Sequence, residues 1–184
     1  MGSKSKIEWT ERTWNPIVGC SIVSPGCTNC YAMKMAARIE AMTIGQTTKN
    51  GSPGLAPTHY AGTTKPAKAG PVWTGKLALA QERTLLEPLR RKKPTTYFVN
   101  SMGDLFHEDC PDEWIDQVFA VMALASQHTF QVLTKRAERM LNYISGAHGV
   151  RLVKSFVGIE ARKIQPEFGR FEWPLPSVWL GVSA

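Results

Sequence analysis

The chain has 184 residues, with 22 Lys and Arg against 15 Asp and Glu and a formal net charge of +7. That length suits a single domain, spanning residues 1–184, that buries a hydrophobic core without disulfide staples. No apolar run approaches the ~20 residues of a membrane helix, and residues 1–6, followed by Glu8, Trp9 and Glu11, lack the apolar core of a signal peptide. A cytoplasmic protein with no membrane partner is therefore expected.

Residues 13–20 read as a short strand running into a loop, and Pro25-Gly26 marks a turn inside that loop. Ala, Met, Lys, Arg and Glu dominate residues 31–42, which predicts a helix. Residues 43–75 are rich in Gly, Thr, Pro and Lys and lack periodicity, the pattern of a long excursion from the domain. A short strand is expected within 72–79 and a short helix within 81–92, limited by Pro88.

Residues 95–101 are β-branched and aromatic, as in a buried strand, and 104–111 form a polar loop. A helix starts near Asp112, with Trp114, Ile115, Val118, Phe119, Met122 and Ala125 spaced as a core-facing stripe. A strand follows at 129–134, then a helix at 137–144 with Met140, Leu141 and Ile144 on one face. Residues 145–176 read as irregular, with a possible strand at 152–159, and 178–183 as a final strand. Trp9, Trp14, Trp114 and Trp179 are read as core or rim packing. Alternating strands and helices predict an α/β fold built on a parallel sheet, with interior strands apolar on both faces.

The chemistry concentrates in the cysteines. Cys20, Cys27 and Cys30 lie within eleven residues, while Cys110 is eighty positions beyond the last of them. Clustered thiols in a cytoplasmic chain point to a metal rather than to disulfides. Three thiolates on one loop can hold three corners of a [4Fe–4S] cluster and leave one iron open to a ligand. A zinc site is the rival, with Cys110, His107 or another distant residue as its fourth ligand. Plain thiols are the third possibility. Basic residues collect at Arg90, Arg91, Lys92 and Lys93, with Lys49, Lys65, Lys68 and Lys76 before them. They suit a solvated surface first, and nucleic-acid phosphates second.

The run Cys27-Thr-Asn-Cys30-Tyr31-Ala32 resembles the Cys-x2-Cys-Tyr segment of spore photoproduct lyase and its relatives among the radical S-adenosylmethionine (radical SAM) enzymes. The first gap, Cys20-x6-Cys27, is longer than the usual three residues of that superfamily. Residues 98–106, Phe-Val-Asn-Ser-Met-Gly-Asp-Leu-Phe, resemble its Ser-x-x-Asp segment after the second strand, and Val132-Leu-Thr-Lys135 its Thr-Lys after the third. Over nearly the whole length the chain also resembles a phage-associated family of three-cysteine-motif proteins. Trp-Asn-Pro, the cysteine run, Ser-Met-x-Asp-Leu-Phe-His, Leu-Thr-Lys-Arg and Trp-Leu-Gly-Val-Ser occur there in this order.

The resemblance implies a partial parallel (β/α) barrel of the radical SAM type, truncated after about four strands. It implies a [4Fe–4S] cluster on Cys20, Cys27 and Cys30, with S-adenosylmethionine as second cofactor. Strand ends are where such a fold places ligand groups. Asn100, Ser101 or Asp104 would take the ammonium, Lys135 or Arg136 the carboxylate, and Ser183 the ribose. The implied reaction is reductive cleavage of S-adenosylmethionine to a 5′-deoxyadenosyl radical acting on an unknown substrate, possible targets being nucleic acid or nucleotide. The implied electron donor is of the flavodoxin or ferredoxin kind. A zinc-stabilised phage nucleic-acid-binding module and an inactive fragment of the enzyme are the alternatives.

Overall fold

The structure, a computed structural model, describes residues 7–50, 58–146 and 172–183. Its frame is a four-stranded parallel sheet of β1 (Arg12–Trp14), β6 (Thr96–Val99), β7 (Thr129–Thr134) and β8 (Val178–Val182), in the order β1-β6-β7-β8. Two of its three connections carry the helices the periodicity predicts. These are α3 (Asp112–Leu124) between β6 and β7, and α4 (Ala137–Ser145) after β7. The expected α/β class and parallel sheet are present. The strand expected at 152–159 lies outside the described residues.

Side chains alternate along each strand, and one face makes the core. Trp14, Tyr97, Val99, Phe130 and Val132 join Ile115, Val118, Phe119 and Met122 of α3 in one apolar cluster. Tyr97 stacks on Phe130 with ring centroids 5.6 Å apart. The opposite face is not the buried surface expected of interior strands: Leu133 is 37% exposed and Trp179 61%. Of the tryptophans, Trp14 is core and Trp114 packs at its margin. Trp9 is half-exposed, its ring set edge-on to Phe98 at 4.9 Å.

Several local expectations are corrected. The short strand expected at the start of 13–20 is β1, but the segment after it is not only a loop. Pro16 has no amide hydrogen to donate, and the chain breaks there into β1 and a separate β2 (Ile17–Val18). β2 pairs antiparallel with β5 (Ala78–Leu79), and Ala80 N donates to Pro16 O at 2.7 Å. The strand expected at 72–79 is likewise two, β4 (Val72–Trp73) and β5, separated at Gly75 with φ +85°. β4 forms a hairpin with β3 (Thr64–Lys65).

Helix α1 (Tyr31–Asn50) runs eight residues past the expected end at 42 and takes up the start of the 43–75 excursion. Its second half carries Gly and Thr, poor helix formers, but extending a nucleated helix costs far less than starting one. The helix expected within 81–92 is short, α2 (Glu82–Leu85), followed by a 3-10 turn at Pro88–Arg90.

In α4 the inward face is Met140, Tyr143 and Ile144, while Leu141 is 63% exposed. Leu141 sits ~100° around the helix from Met140, so the i, i+3, i+4 stripe excludes it. Tyr143 OH donates to Asp116 Oδ1 at 2.8 Å, which satisfies the buried phenol. Leu141→Lys is expected to change stability by less than ~0.5 kcal/mol in urea titration.

A second, smaller core forms beneath the cysteine loop. Val18, Ala32, Met33, Ala36, Tyr60, Trp73 and Met102 cluster there, with Cys20 and Cys30 packed against them. Beside it, burial holds His59 down to about 4. The unfolded chain therefore binds a proton near pH 6.5 that the folded one refuses. The stabilising contribution is complete above pH 6.5 and is lost as pH falls toward 4. Partial exposure reduces it to roughly 1–2 kcal/mol. Urea midpoints of His59→Phe should fall less steeply than wild type over that window, and parallel curves would contradict the assignment. Among the described residues no helix is long and apolar enough to cross a membrane.

Candidate functional site

The site forms at the carboxyl ends of the parallel strands, where two glycines let the backbone come close. Gly19 and Gly103 form a bridge, and Gly19 N donates to Met102 O at 3.1 Å. Asn15, which follows β1, accepts at Oδ1 from Ser101 Oγ and Met102 N, both at 3.1 Å. The Trp-Asn-Pro motif thus has a structural meaning. Trp14 fills the core, Asn15 pins the loop after β6, and Pro16 redirects the chain toward Cys20.

The loop expected at 104–111 is present after β6, but its first half is buried rather than a solvated polar loop. Leu105, Phe106 and His107 are fully buried and Asp104 nearly so. Asp104 links three parts of the chain. Its Oδ1 accepts from Phe106 N at 3.0 Å and Thr134 Oγ1 at 2.7 Å, and its Oδ2 from Lys135 N at 3.2 Å and Arg136 Nη1 at 2.9 Å. Both carboxylate oxygens are committed inside the protein.

Arg136 is the centre of the site. Its side chain is 9% exposed, and its guanidinium pairs with Asp104 and, through Nε, with Glu108. Nη2 donates to Ser21 Oγ at 2.7 Å, and Nη1 lies 3.8 Å from Cys20 Sγ. The hydrogen bond from Arg136 holds the Glu108 carboxyl down at about 2. His107 Nδ1 accepts from Asp109 N at 3.1 Å, so its proton sits on Nε2, 2.8 Å from Ser21 Oγ. Ser21 therefore accepts from His107 and Arg136 and donates to Glu108 Oε1 at 3.2 Å. The imidazole N–H faces Ser21 as a donor, and the carboxylate that accepts from Ser21 is held strongly acidic by Arg136 and is a poor base, so this pair is a rivet and not a nucleophile dyad.

The remaining predicted residues lie on the same rim. Lys135 Nζ donates to Ser183 O at 3.4 Å, and Ser183 N to Thr134 O at 2.9 Å. Tyr31, next to Cys30, donates its hydroxyl to Ser101 O at 3.2 Å. Asn100 takes the left-handed conformation with φ +56°. Its Oδ1 accepts from Ile17 N at 3.2 Å, and its Nδ2 is buried without a partner. A chain of contacts thus joins Cys20, Arg136, Asp104, Lys135 and Ser183, and another joins the cysteine loop to Ser101.

All four cysteines are free. Cys110 is separate from the other three in character. It is 2% exposed, its thiol donates toward Pro111 O, and burial pushes it up to about 12. Cys20 is raised by burial, against the opposing pull of Arg136. Burial also raises Cys27, but the backbone of Val23 and Ser24, the Ser24 hydroxyl and the charge of Lys135 together bring it below its ordinary value.

The donor set fits a thiophilic centre. It is all sulfur, two of its members pack on the same small core, and the carboxylates nearest Cys20 are consumed by Arg136. Two of the sulfurs have polar neighbours, Arg136 Nη1 at Cys20 and Ser24 Oγ at 3.6 Å from Cys27. Among the described residues no group of three or more His, Cys, Asp or Glu side chains is placed to hold a metal ion, the three thiols of this loop included.

Sequence reasoning missed Ser21, Glu108 and the centrality of Arg136. The available signal was the pair of acids Asp104 and Glu108, four residues apart, with a basic residue following β7. No curated protein and no solved structure matches the chain. Residues 4–184 match the family described as "Protein of unknown function (DUF5131)", and the chain belongs to that family.

Proposed function

We propose that this chain is an iron–sulfur protein of the radical SAM type, with a [4Fe–4S] cluster on Cys20, Cys27 and Cys30 and S-adenosylmethionine bound beside it. In this reading the parallel sheet is part of a (β/α) barrel. The observation that carries the proposal is the convergence on one rim of a three-thiol loop with Ser101, Lys135 and Ser183, through the contacts of Arg136 and Asp104. When bound, such a cluster supplies the electron for reductive cleavage of S-adenosylmethionine, drawn from a flavodoxin- or ferredoxin-like donor.

The chain's own residues then bind and orient. Lys135 meets the carboxylate, Ser183 the ribose, and Ser101 the ammonium. Asp104, its oxygens already engaged, positions Lys135 and Arg136. Asn100 offers an unpaired amide donor rather than the acceptor expected of it. A zinc site would need a fourth ligand, and the two named candidates, His107 and Cys110, are both engaged elsewhere. His107 is held by Ser21 and Asp109, and the Cys110 thiol is buried toward Pro111 O.

Anaerobic reconstitution tests the reading. A brown protein with a broad absorption near ~400 nm is expected, from charge transfer to iron. Cys20→Ala, Cys27→Ala and Cys30→Ala should each abolish it, and Cys110→Ala should leave it intact. One tightly held zinc without sulfide, or loss of colour in Cys110→Ala alone, would refute the assignment. Lys135→Ala should weaken S-adenosylmethionine binding by calorimetry roughly tenfold to a hundredfold, the loss of one charge-assisted contact, without removing iron.

A further inference from the structure

We propose that Arg136 is a positioning residue that sets the reduction potential of the cluster, by holding a fixed N–H donor and positive charge against the Cys20 sulfur. The proposal rests on the preceding reading of the thiol loop. Arg136 Nη1 stands 3.8 Å from Cys20 Sγ, and the Arg136 side chain is 9% exposed. Asp104, Glu108 and Ser21 grip it through Nη1, Nε and Nη2, so the fork cannot swing away when the charge at sulfur changes. Hydrogen bonds and charges at cluster sulfurs are among the determinants of potential.

Reduction adds one electron, taken from an external donor, and makes the cluster more negative. A cation in a poorly solvated position favours the reduced form. Removing Arg136 has a second effect of the same sign, because it leaves the carboxylates of Asp104 and Glu108 uncompensated beside the cluster. Removing Glu108 does the reverse, since it relieves the guanidinium of one counter-charge. Glu108 is 56% exposed at its side chain, so Glu108→Gln opens no cavity and keeps an acceptor oxygen. A guanidinium that merely joins the two loops gives no reason for these substitutions to move the potential in opposite directions.

The experiment is an electron-paramagnetic-resonance-monitored redox titration of the reconstituted full chain, with iron and sulfide counted in each sample. Arg136→Met should disfavour reduction at least tenfold, a fall of about 59 mV for a one-electron couple. Arg136→Lys should fall between Met and wild type, and Glu108→Gln should shift upward. Unchanged potentials, or shifts of Arg136→Met and Glu108→Gln in the same direction, would overturn the proposal. If Arg136→Met holds no iron, the sign of the Glu108→Gln shift decides alone. A wild-type protein that takes up no iron fails the reading beneath, and this proposal with it. Iron uptake with a potential that does not depend on Arg136 fails this proposal only.

Discussion

Gly19→Ala should destabilise the protein by more than ~3 kcal/mol and prevent iron uptake by whatever remains folded. Two independent effects add at this position. Gly19 has φ +95°, a conformation that costs an L-residue on the order of 1–2 kcal/mol. A methyl group there would also lie 2.0 Å from Lys76 O and 3.1 Å from Lys76 C, both backbone atoms that cannot rotate aside. Relief requires moving β5 away from β2, which separates the segment that delivers Cys20. Gly70→Ala is the internal control. Its φ is +118°, but nothing lies within 4 Å of the added carbon, so only backbone strain is charged to it. Urea titration of the two variants separates clash from strain, and equal losses at both positions would contradict the packing described here.

Asp104→Ala should cost about 3–5 kcal/mol, the range for breaking a buried ion pair from one side. The carboxylate accepts from Phe106, Thr134, Lys135 and Arg136. Its removal leaves a buried and a half-buried backbone amide, a hydroxyl and part of a guanidinium without this acceptor. Asp104→Asn keeps the shape and one acceptor but turns an N–H₂ group toward donors, so an intermediate loss is expected. The urea midpoint should fall with little change in slope, because the exposed surface on unfolding is the same. A loss below ~1 kcal/mol in the alanine variant would mean that Asp104 is not the clamp between the β6 and β7 ends.

How far these features can be read from residues alone depends on the range of the interactions that make them. Helix α3 announces itself by the helical period of its apolar residues, and strands β6, β7 and β8 by short runs of β-branched, aromatic and apolar residues. The breaks at Pro16 and Gly75 did not, since two-residue strands have no period to detect. The second half of α1 was hidden for the opposite reason: local propensity opposed a helix that continuation sustained. The loop after β6 looked polar because Asp104 and His107 are polar, and only their partners across the sheet explain why they are buried. Leu141 was misplaced by counting apolar residues without rotating them about the axis. Cysteine spacing located the candidate site, and the resemblance proposed its cofactor. The arginine that ties the site together was invisible in spacing, since its partners are 28 to 116 residues away.

That last separation has a consequence for biosynthesis. The Cys20–Arg136 contact spans 116 positions. Ribosomes extend a chain at roughly 5–20 residues per second, so this arginine is synthesised about 6–23 s after the cysteine. During that interval the nascent thiols lack the strand end that will hold their loop. The order of synthesis therefore places assembly of the rim, and any metal delivery that depends on it, after translation has passed β7, and leaves the earlier thiols open to oxidants until then.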